Sequence, residues 1–91
     1  MRRVFWADEA ASTLARLDHR TQKLIREKVS RLKDFPYMYE ASEDPRFQGC
    51  RRFPVHAHYV VYYRLWEEGS DCFVVAIRDA RMGPETRPAT E

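Results

Sequence analysis

The chain has 91 residues, which is enough for one small domain with a modest hydrophobic core. Its composition, 44% hydrophobic and 33% charged, is that of a globular protein and excludes an intrinsically disordered chain. The net charge of +2 is too small to indicate nucleic-acid binding by itself. No apolar run reaches the roughly 18 residues of a membrane span, and the segment before Asp8 is too short for a signal peptide. We therefore expect a cytoplasmic protein with no membrane partner.

The first half of the chain predicts a short strand and then two helices. Val4-Phe5-Trp6 is bulky and apolar, as is typical of a strand. Asp8 and Asp18 are candidate N-caps, and Pro36 disfavours helix at the residue before it. Between these signals, apolar residues recur at helical spacing: Ala7, Ala10, Ala11, Leu14 and Leu17 in the first helix, and Ile25, Val29 and Leu32 in the second. The pattern is that of a helical hairpin.

The second half of the chain predicts strands. Residues 37–50 are mixed in character and predict a loop with a short strand near 46–48. A strand over 51–55 contains Pro54, which indicates an edge position. Residues 59–66 are largely apolar on both faces, which predicts a central strand.

The remaining segments complete an antiparallel β-meander. Residues 67–70 contain a glycine and predict a hairpin loop, and 72–77 predict the last strand. The polar segment 83–91 is expected to be a flexible tail. The chain is thus predicted to form one α+β domain over 1–82, with both helices packed on one face of the sheet.

Candidates for metal, cofactor or covalent chemistry are weak. Cys50 and Cys72 are too few for a disulfide framework, and we expect both to be reduced, apolar in behaviour and structural. His56 and His58 would share one face of a strand and could bind a metal with a cysteine, although two solvated histidines in a turn are the simpler interpretation. The glycines are isolated, and no serine lies in a nucleophile-elbow pattern. We expect no metal and no cofactor.

Positive charge is concentrated in the predicted sheet. From Pro45 to Trp66 every charged residue is an arginine, so one face of the fold should be more positive than the net charge suggests. The arginines on or just after the predicted strands are Arg51, Arg52, Arg64, Arg78 and Arg81. They either bind a negatively charged partner or form a solvated edge that discourages sheet aggregation. The nearby aromatic residues could stack on bases or simply pack within the sheet, namely Tyr59, Tyr62, Tyr63 and Trp66.

The order of these motifs resembles that of the ParE/RelE toxins of bacterial type II toxin–antitoxin modules, also called plasmid-stabilisation proteins. The similarity runs from about Val4 to Glu85. It rests on the opening VFWADEAASTLARL, on IREKVSRLKDFP with its terminal proline, and on GCRRFPVHAHYVVYYRLWEEGSDCFVVAIRDARM. The resemblance implies the RelE/ParE-like fold, a cytoplasmic toxin and a cognate antitoxin that is acidic and partly disordered.

The two branches of this family differ in chemistry. RelE-type toxins cut mRNA on the ribosome with arginines, lysines and often a C-terminal tyrosine. One of their arginines follows the aromatic residue that opens the hydrophobic strand, and the matching position here is Val60. No tyrosine follows Tyr63. RNA cleavage must polarise a 2′-hydroxyl and stabilise a phosphorane, and valine can do neither.

The stretches HYVVYYR and ARMGPE resemble the ParE branch instead, with Gly83 and Asp79 where that branch usually has aspartate and histidine. ParE-type toxins inhibit DNA gyrase by binding, and no cofactor is attributed to them. We therefore expect a gyrase inhibitor that an antitoxin neutralises. The alternatives are a ribosome-dependent mRNA endonuclease with a reorganised site and a family member that has lost toxicity and acts only as a binding partner.

The resemblance also assigns candidate residues. Contact with the target is expected from Arg51, Arg52, Arg64, Arg78, Arg81 and Met82. In an endonuclease the same five arginines would be the catalytic groups. Antitoxin binding is expected from four apolar residues that exceed the needs of one small core, namely Trp6, Leu14, Leu17 and Phe35.

Overall fold

Among the residues that the structure describes, two α-helices and four strands follow one another in the order that the sequence predicts. The computed structural model describes residues 2–56, 58–66 and 71–81. Its elements are β1 (Val4–Trp6), α1 (Asp8–Ala15), α2 (His19–Arg31), a 3-10 helix (Pro45–Phe47), β2 (Arg51–Val55), β3 (Tyr59–Trp66) and β4 (Asp71–Asp79). The predicted α+β fold is confirmed. The predicted hairpin loop at 67–70 and tail at 83–91 lie outside the described residues, as does Met82.

The four strands form one mixed sheet in the order β1-β4-β3-β2. Strands β2, β3 and β4 are the predicted antiparallel meander, and β1 adds to β4 in parallel. Two parallel strands such as β1 and β4 need a crossover connection between them. Here that connection begins with the helical hairpin, which covers one face of the sheet. Pro54 lies on the edge strand β2 and β3 is internal, so both of these predictions are confirmed.

The helix ends follow from local chemistry. The Asp18 carboxylate caps α2 by accepting hydrogen bonds from the Thr21 backbone nitrogen and from the Thr21 hydroxyl. The same bonds, led by the one from the hydroxyl, lower the pKa of Asp18. The prediction for Asp8 was wrong. Ala7 is the N-cap of α1 without a side-chain bond, and Asp8 lies in the first turn, where its charge favours the helix dipole.

The main core lies between the helices and the sheet. Ala10, Leu14, Ile25, Val29 and Leu32 are buried as the helical spacing predicts, whereas Ala11 is exposed. The sheet contributes Phe53, Val55, Val61, Tyr63, Cys72, Val74 and Ile77. Cys50 and Cys72 are buried and unpaired, and burial raises the pKa of both thiols. Within the described ranges there is no helix long and apolar enough to cross a membrane.

The segment before β2 differs from the prediction. The short strand predicted near 46–48 is instead the 3-10 helix Pro45–Phe47. Asp44 accepts a hydrogen bond from the Arg46 backbone nitrogen, and Pro45 suits the first helical position because it has no N–H to lose. This turn places the Phe47 ring on the Tyr62 ring, with 4.0 Å between the centroids. The segment therefore covers part of the sheet face that the helices leave bare.

Candidate functional site

The face of the sheet away from the helices, here called the open face, carries three of the predicted arginines. Neighbouring residues across a sheet share a face. Arg52 is opposite Tyr62, and Arg78 is opposite Val60 on the far side of β3. Arg64 follows Tyr62 by two residues on β3 and so points the same way. The structure thus brings Arg52, Arg64 and Arg78 onto one surface around Tyr62.

The centre of that surface is apolar. Val60 and Tyr62 are 8% and 7% exposed, and they pack with buried Cys50 and with the half-buried Phe47 and Val75. The Val60 side chain is therefore largely buried among apolar neighbours on the open face.

The arginines differ in what already neutralises them. Arg52 forms a salt bridge with Glu40, with 3.0 Å between Nη1 and Oε2. Arg64 is exposed and Arg78 is half-buried. Neither of these two forms a salt bridge within the described part of the chain. Of the arginines on this face, Arg64 and Arg78 are consequently the best able to bind a negatively charged partner.

Arg51 lies on the opposite side of the sheet. It is the cross-strand partner of buried Tyr63, so it faces the helices. Its Nη1 donates a hydrogen bond to the Tyr39 carbonyl oxygen, and its guanidinium lies 5.0 Å from the centroid of the Tyr37 ring. Arg51 therefore fastens the loop after α2, and it does not join the other arginines on the open face.

Arg81 is held by its own turn. In Asp79-Ala80-Arg81, the aspartate accepts bonds from the Arg81 backbone nitrogen, from Nε and from Nη2, the last at 2.7 Å. The same set of bonds joins Asp44 to Arg46 before β2. In each turn the arginine side chain, as the leading cause, lowers the pKa of the aspartate to about 2. The charge of Arg81 is thus balanced within the turn at neutral pH.

The four residues predicted to bind an antitoxin do not form one surface. Leu14 is buried in the core, so it can support a binding surface but cannot contact an antitoxin directly. Leu17 is half-buried against the same core. Phe35 is 61% exposed in the loop after α2. Trp6 lies elsewhere, in the groove between β1 and α2.

That groove, here called the β1–α2 groove, has a volume of about 470 Å³. Val4, Trp6 and Val29 give it an apolar floor. Its cationic lining residues are Arg2, Arg3, Arg26 and Lys33. The sequence showed basic residues along α2, but their position beside the outer edge of β1 depends on the long-range parallel pairing of β1 with β4.

A second hollow, of about 310 Å³, lies on the open face at the β1 side of the sheet. Phe5, Trp66 and Phe73 line it together with Asp71 and Cys72. Phe5 and Trp66 are 44% and 53% exposed. From the sequence, Trp66 is marked only as a possible base-stacking residue and Phe5 and Phe73 are not marked as a site, because Phe5 reaches the other two only through the pairing of β1 with β4. We call this feature the aromatic hollow.

The chain matches one family of known proteins over most of its length. Residues 4–84 match the family model described as the ParE toxin of the type II toxin–antitoxin system parDE. The chain belongs to the ParE toxin family. No curated protein sequence matches it at a significant level.

Solved structures of ParE and RelE toxins share the fold of this ParE-family chain. The isolated RelE toxin of Escherichia coli has 14% identity and a TM-score of 0.73, covering 98% of this chain and 95% of that one. The YoeB/ParE toxin of Agrobacterium tumefaciens has 18% identity and a TM-score of 0.70, covering 87% and 98%. A chain of the chromosomal ParDE system of Pseudomonas aeruginosa has 20% identity and a TM-score of 0.66, covering 87% and 96%. At these identities the likeness establishes the fold.

Proposed function

We propose that this ParE-family toxin inhibits DNA gyrase by binding it in the cytoplasm, without catalysis and without a cofactor. The observation that carries this proposal is the buried Val60 at the apolar centre of the open face. Strand-scission chemistry on RNA needs a group that takes a proton from the 2′-hydroxyl and groups that stabilise the phosphorane. A closed apolar centre is suited to supporting a binding surface instead.

The polar groups of the open face also favour binding over proton transfer. The arginines here remain protonated at all physiological pH values, so they can donate hydrogen bonds but cannot act as a general base. The Tyr62 ring is buried and stacked on Phe47, which leaves little room for a substrate hydroxyl beside it. Arg64 and Arg78, in contrast, are arranged to contact an acidic surface.

We propose further that a cognate antitoxin, acidic and partly disordered, occupies the β1–α2 groove. Strand β1 is an edge strand whose outer side pairs with no described strand. Unpaired backbone groups on such an edge can accept an added strand, and the basic walls of the groove favour an acidic segment. Structures similar to this chain include toxin–antitoxin complexes such as RelBE of Escherichia coli, which supports a partner of this kind.

Inducible expression of the toxin, with and without the gene of its antitoxin, tests the target. We expect growth arrest with DNA breaks and intact mRNA, and relief by the antitoxin. Codon-positioned mRNA cleavage that disappears on Arg64→Ala would instead support the endonuclease alternative and contradict gyrase inhibition.

A pair of charge reversals tests the antitoxin groove. Arg26 lines the groove, whereas Arg20 is an exposed arginine of the same helix that does not. We expect Arg26→Glu to weaken antitoxin binding about tenfold or more and Arg20→Glu to leave it nearly unchanged, because only the first places a negative charge against the acidic segment. Equal affinities for the two folded variants, measured by isothermal titration calorimetry, would place the antitoxin elsewhere.

A further inference from the structure

Beyond the choice of target, the geometry points to where the target binds. We propose that the aromatic hollow, with Arg64 beside it, is the docking site for an acidic segment of the target protein that inserts one apolar side chain between Phe5, Trp66 and Phe73. This inference rests on the proposed function in one respect, since it takes the occupant to be the inhibited protein and not the antitoxin.

The hollow is built across three strands. Phe73 of β4 is the neighbour of Phe5 on β1 and of Arg64 on β3, so these three side chains form one row on the open face. Trp66 follows Arg64 by two residues on β3 and so faces the same way. The row is rigid because its residues lie on paired strands, and its position is fixed by the β1–β4 pairing. A preformed site of this kind binds a partner at a lower entropic cost than a flexible loop does.

These aromatic side chains are not needed by the core. Along β4, Cys72 and Val74 are fully buried and fill the helix side of the sheet, and Phe73 between them points away from it. Phe5 and Trp66 expose about half of their surface. Contiguous exposed apolar surface with a charged border is typical of a protein-binding site. Tryptophan and arginine are also the residues most often found at the centres of interfaces.

The charges around the hollow indicate the chemistry of the partner. The Arg3 guanidinium lies 5.3 Å from the centroid of the Phe5 ring, and Arg64 lies on the other side of Phe73. The carboxylate of Asp71 in the lining accepts the Arg3 backbone N–H at 3.1 Å and keeps its negative charge. Among the described residues, the two arginines therefore outweigh the one carboxylate of Asp71. This excess of positive charge favours an acidic protein segment and disfavours a second copy of this chain, which would carry the same excess.

Protein is also favoured over RNA as the occupant. Binding to a phosphate backbone draws its affinity from many cations that each neutralise a phosphate. The hollow has few cations near it, namely Arg3, Arg64 and, beside Cys72, Arg2, and the Asp71 carboxylate in its lining would repel a phosphate. The antitoxin is expected in the β1–α2 groove, which shares Phe5 with the hollow but does not include Trp66 or Phe73.

The test compares Trp66→Ala and Arg64→Glu with Tyr37→Ala. Tyr37 is a matched control, because it is a 55% exposed aromatic residue on the loop after α2, outside the hollow. Folding of each full-length variant is checked by circular dichroism, and Arg64→Glu provides an exposed second change if Trp66→Ala does not fold. Binding to purified gyrase is measured by biolayer interferometry. We expect both hollow variants to bind about tenfold or more weakly than wild type, with antitoxin affinity unchanged, and the control to bind like wild type.

Several results would overturn the proposal. Wild-type gyrase affinity in both hollow variants, or an equal loss in Tyr37→Ala, would do so. A loss of antitoxin binding would identify the antitoxin as the occupant of the hollow. Conversion of a dimer to a monomer by Trp66→Ala would identify a second copy of this chain as the occupant, and loss of an mRNA-cleaving activity would identify RNA.

The same variants separate this inference from the proposed function. If the wild-type protein does not bind gyrase, growth arrest on expression replaces the binding assay. If both hollow variants lose growth arrest while Tyr37→Ala keeps it, and mRNA is not cleaved, the hollow is supported as the docking site and gyrase is rejected as the target. Arrest that the hollow variants retain, or a wild-type chain that arrests nothing, would overturn the proposal.

Discussion

Replacing Tyr63 with phenylalanine should destabilise the protein more than the loss of one oxygen atom suggests. Tyr63 is fully buried on β3, and its hydroxyl donates a hydrogen bond to the Pro36 carbonyl oxygen at 2.8 Å. This bond joins the sheet to the loop after α2 across the core. Tyr63→Phe removes the donor and leaves the buried Pro36 carbonyl without it.

The magnitude follows from that unsatisfied carbonyl. A buried acceptor that loses its partner costs about 1–3 kcal/mol. For a domain of this size, each kcal/mol lowers the Tm by about 4–8 °C, so we expect a decrease of roughly 5–15 °C. Tyr37→Phe is the control, because its ring is largely exposed and its change should stay within about 0.5 kcal/mol.

The dependence on pH gives the same prediction a second readout. Burial is the main cause that raises the pKa of Tyr63 from 10.0 to about 12. As the pH rises above 10, the unfolded state therefore loses this proton first, and the free energy of unfolding falls until the pH passes the folded pKa. Below pH 10 the contribution is fully present. The Tyr63→Phe variant should lack this part of the alkaline decrease.

Urea denaturation followed by circular dichroism, at neutral pH and up to about pH 11, measures both effects. Equal stability of Tyr63→Phe and wild type at neutral pH would show that water or a relaxed loop satisfies Pro36. The reasoning about the buried bond would then be refuted.

Three further predictions concern the helix cap, the thiols and the last turn. Asp18→Ala should lower the Tm by about 5 °C and Asp18→Asn by much less, because asparagine can still accept the Thr21 bonds; equal losses in thermal melts would argue against the cap. Cys50 and Cys72 should resist a chromogenic thiol reagent at pH 8 until urea unfolds the chain, since burial raises both pKa values, and fast native-state labelling would contradict this. Arg81→Gln should change gyrase inhibition less than Arg64→Gln in a supercoiling assay, because Asp79 already balances Arg81; the reverse order would return the last turn to the centre of the target surface.

Local signals predicted most of the fold. Asp18 caps α2 by bonds to a residue only three positions away, so its role can be read from the sequence. Pro54 on the edge strand and the alternation in β3 are also short-range patterns. The arginines on the strands could be found in the same way, because strand period decides which face each one occupies.

The features that the sequence did not predict depend on long-range geometry. Pairing of β1 with β4 joins residues 68 positions apart, such as Val4 and Cys72, and creates both the β1–α2 groove and the aromatic hollow. No local pattern marks such a pairing. The salt bridge between Asp79 and Arg81 was not predicted, for a different reason. In the sequence, a turn whose aspartate binds its own arginine looks the same as a chain end with an unpaired arginine.

The roles of the arginines as target contacts stay a prediction, and the structure orders them. Arg64 and Arg78 come first, because no salt bridge among the described residues neutralises them. Arg52 is partly neutralised by Glu40, and Arg51 fastens a loop on the helix side. In an endonuclease the exposed Arg64 could contact a substrate, but buried Val60 offers no group for proton transfer or for stabilising a phosphorane.

Gyrase-catalysed supercoiling in the presence of the purified toxin tests the central claim most directly. We predict that the toxin alone, with no ribosome and no added cofactor, inhibits supercoiling in a concentration-dependent way, and that stoichiometric antitoxin restores it. The contradicting result is full supercoiling at saturating toxin, together with cleavage of ribosome-bound mRNA by the same preparation.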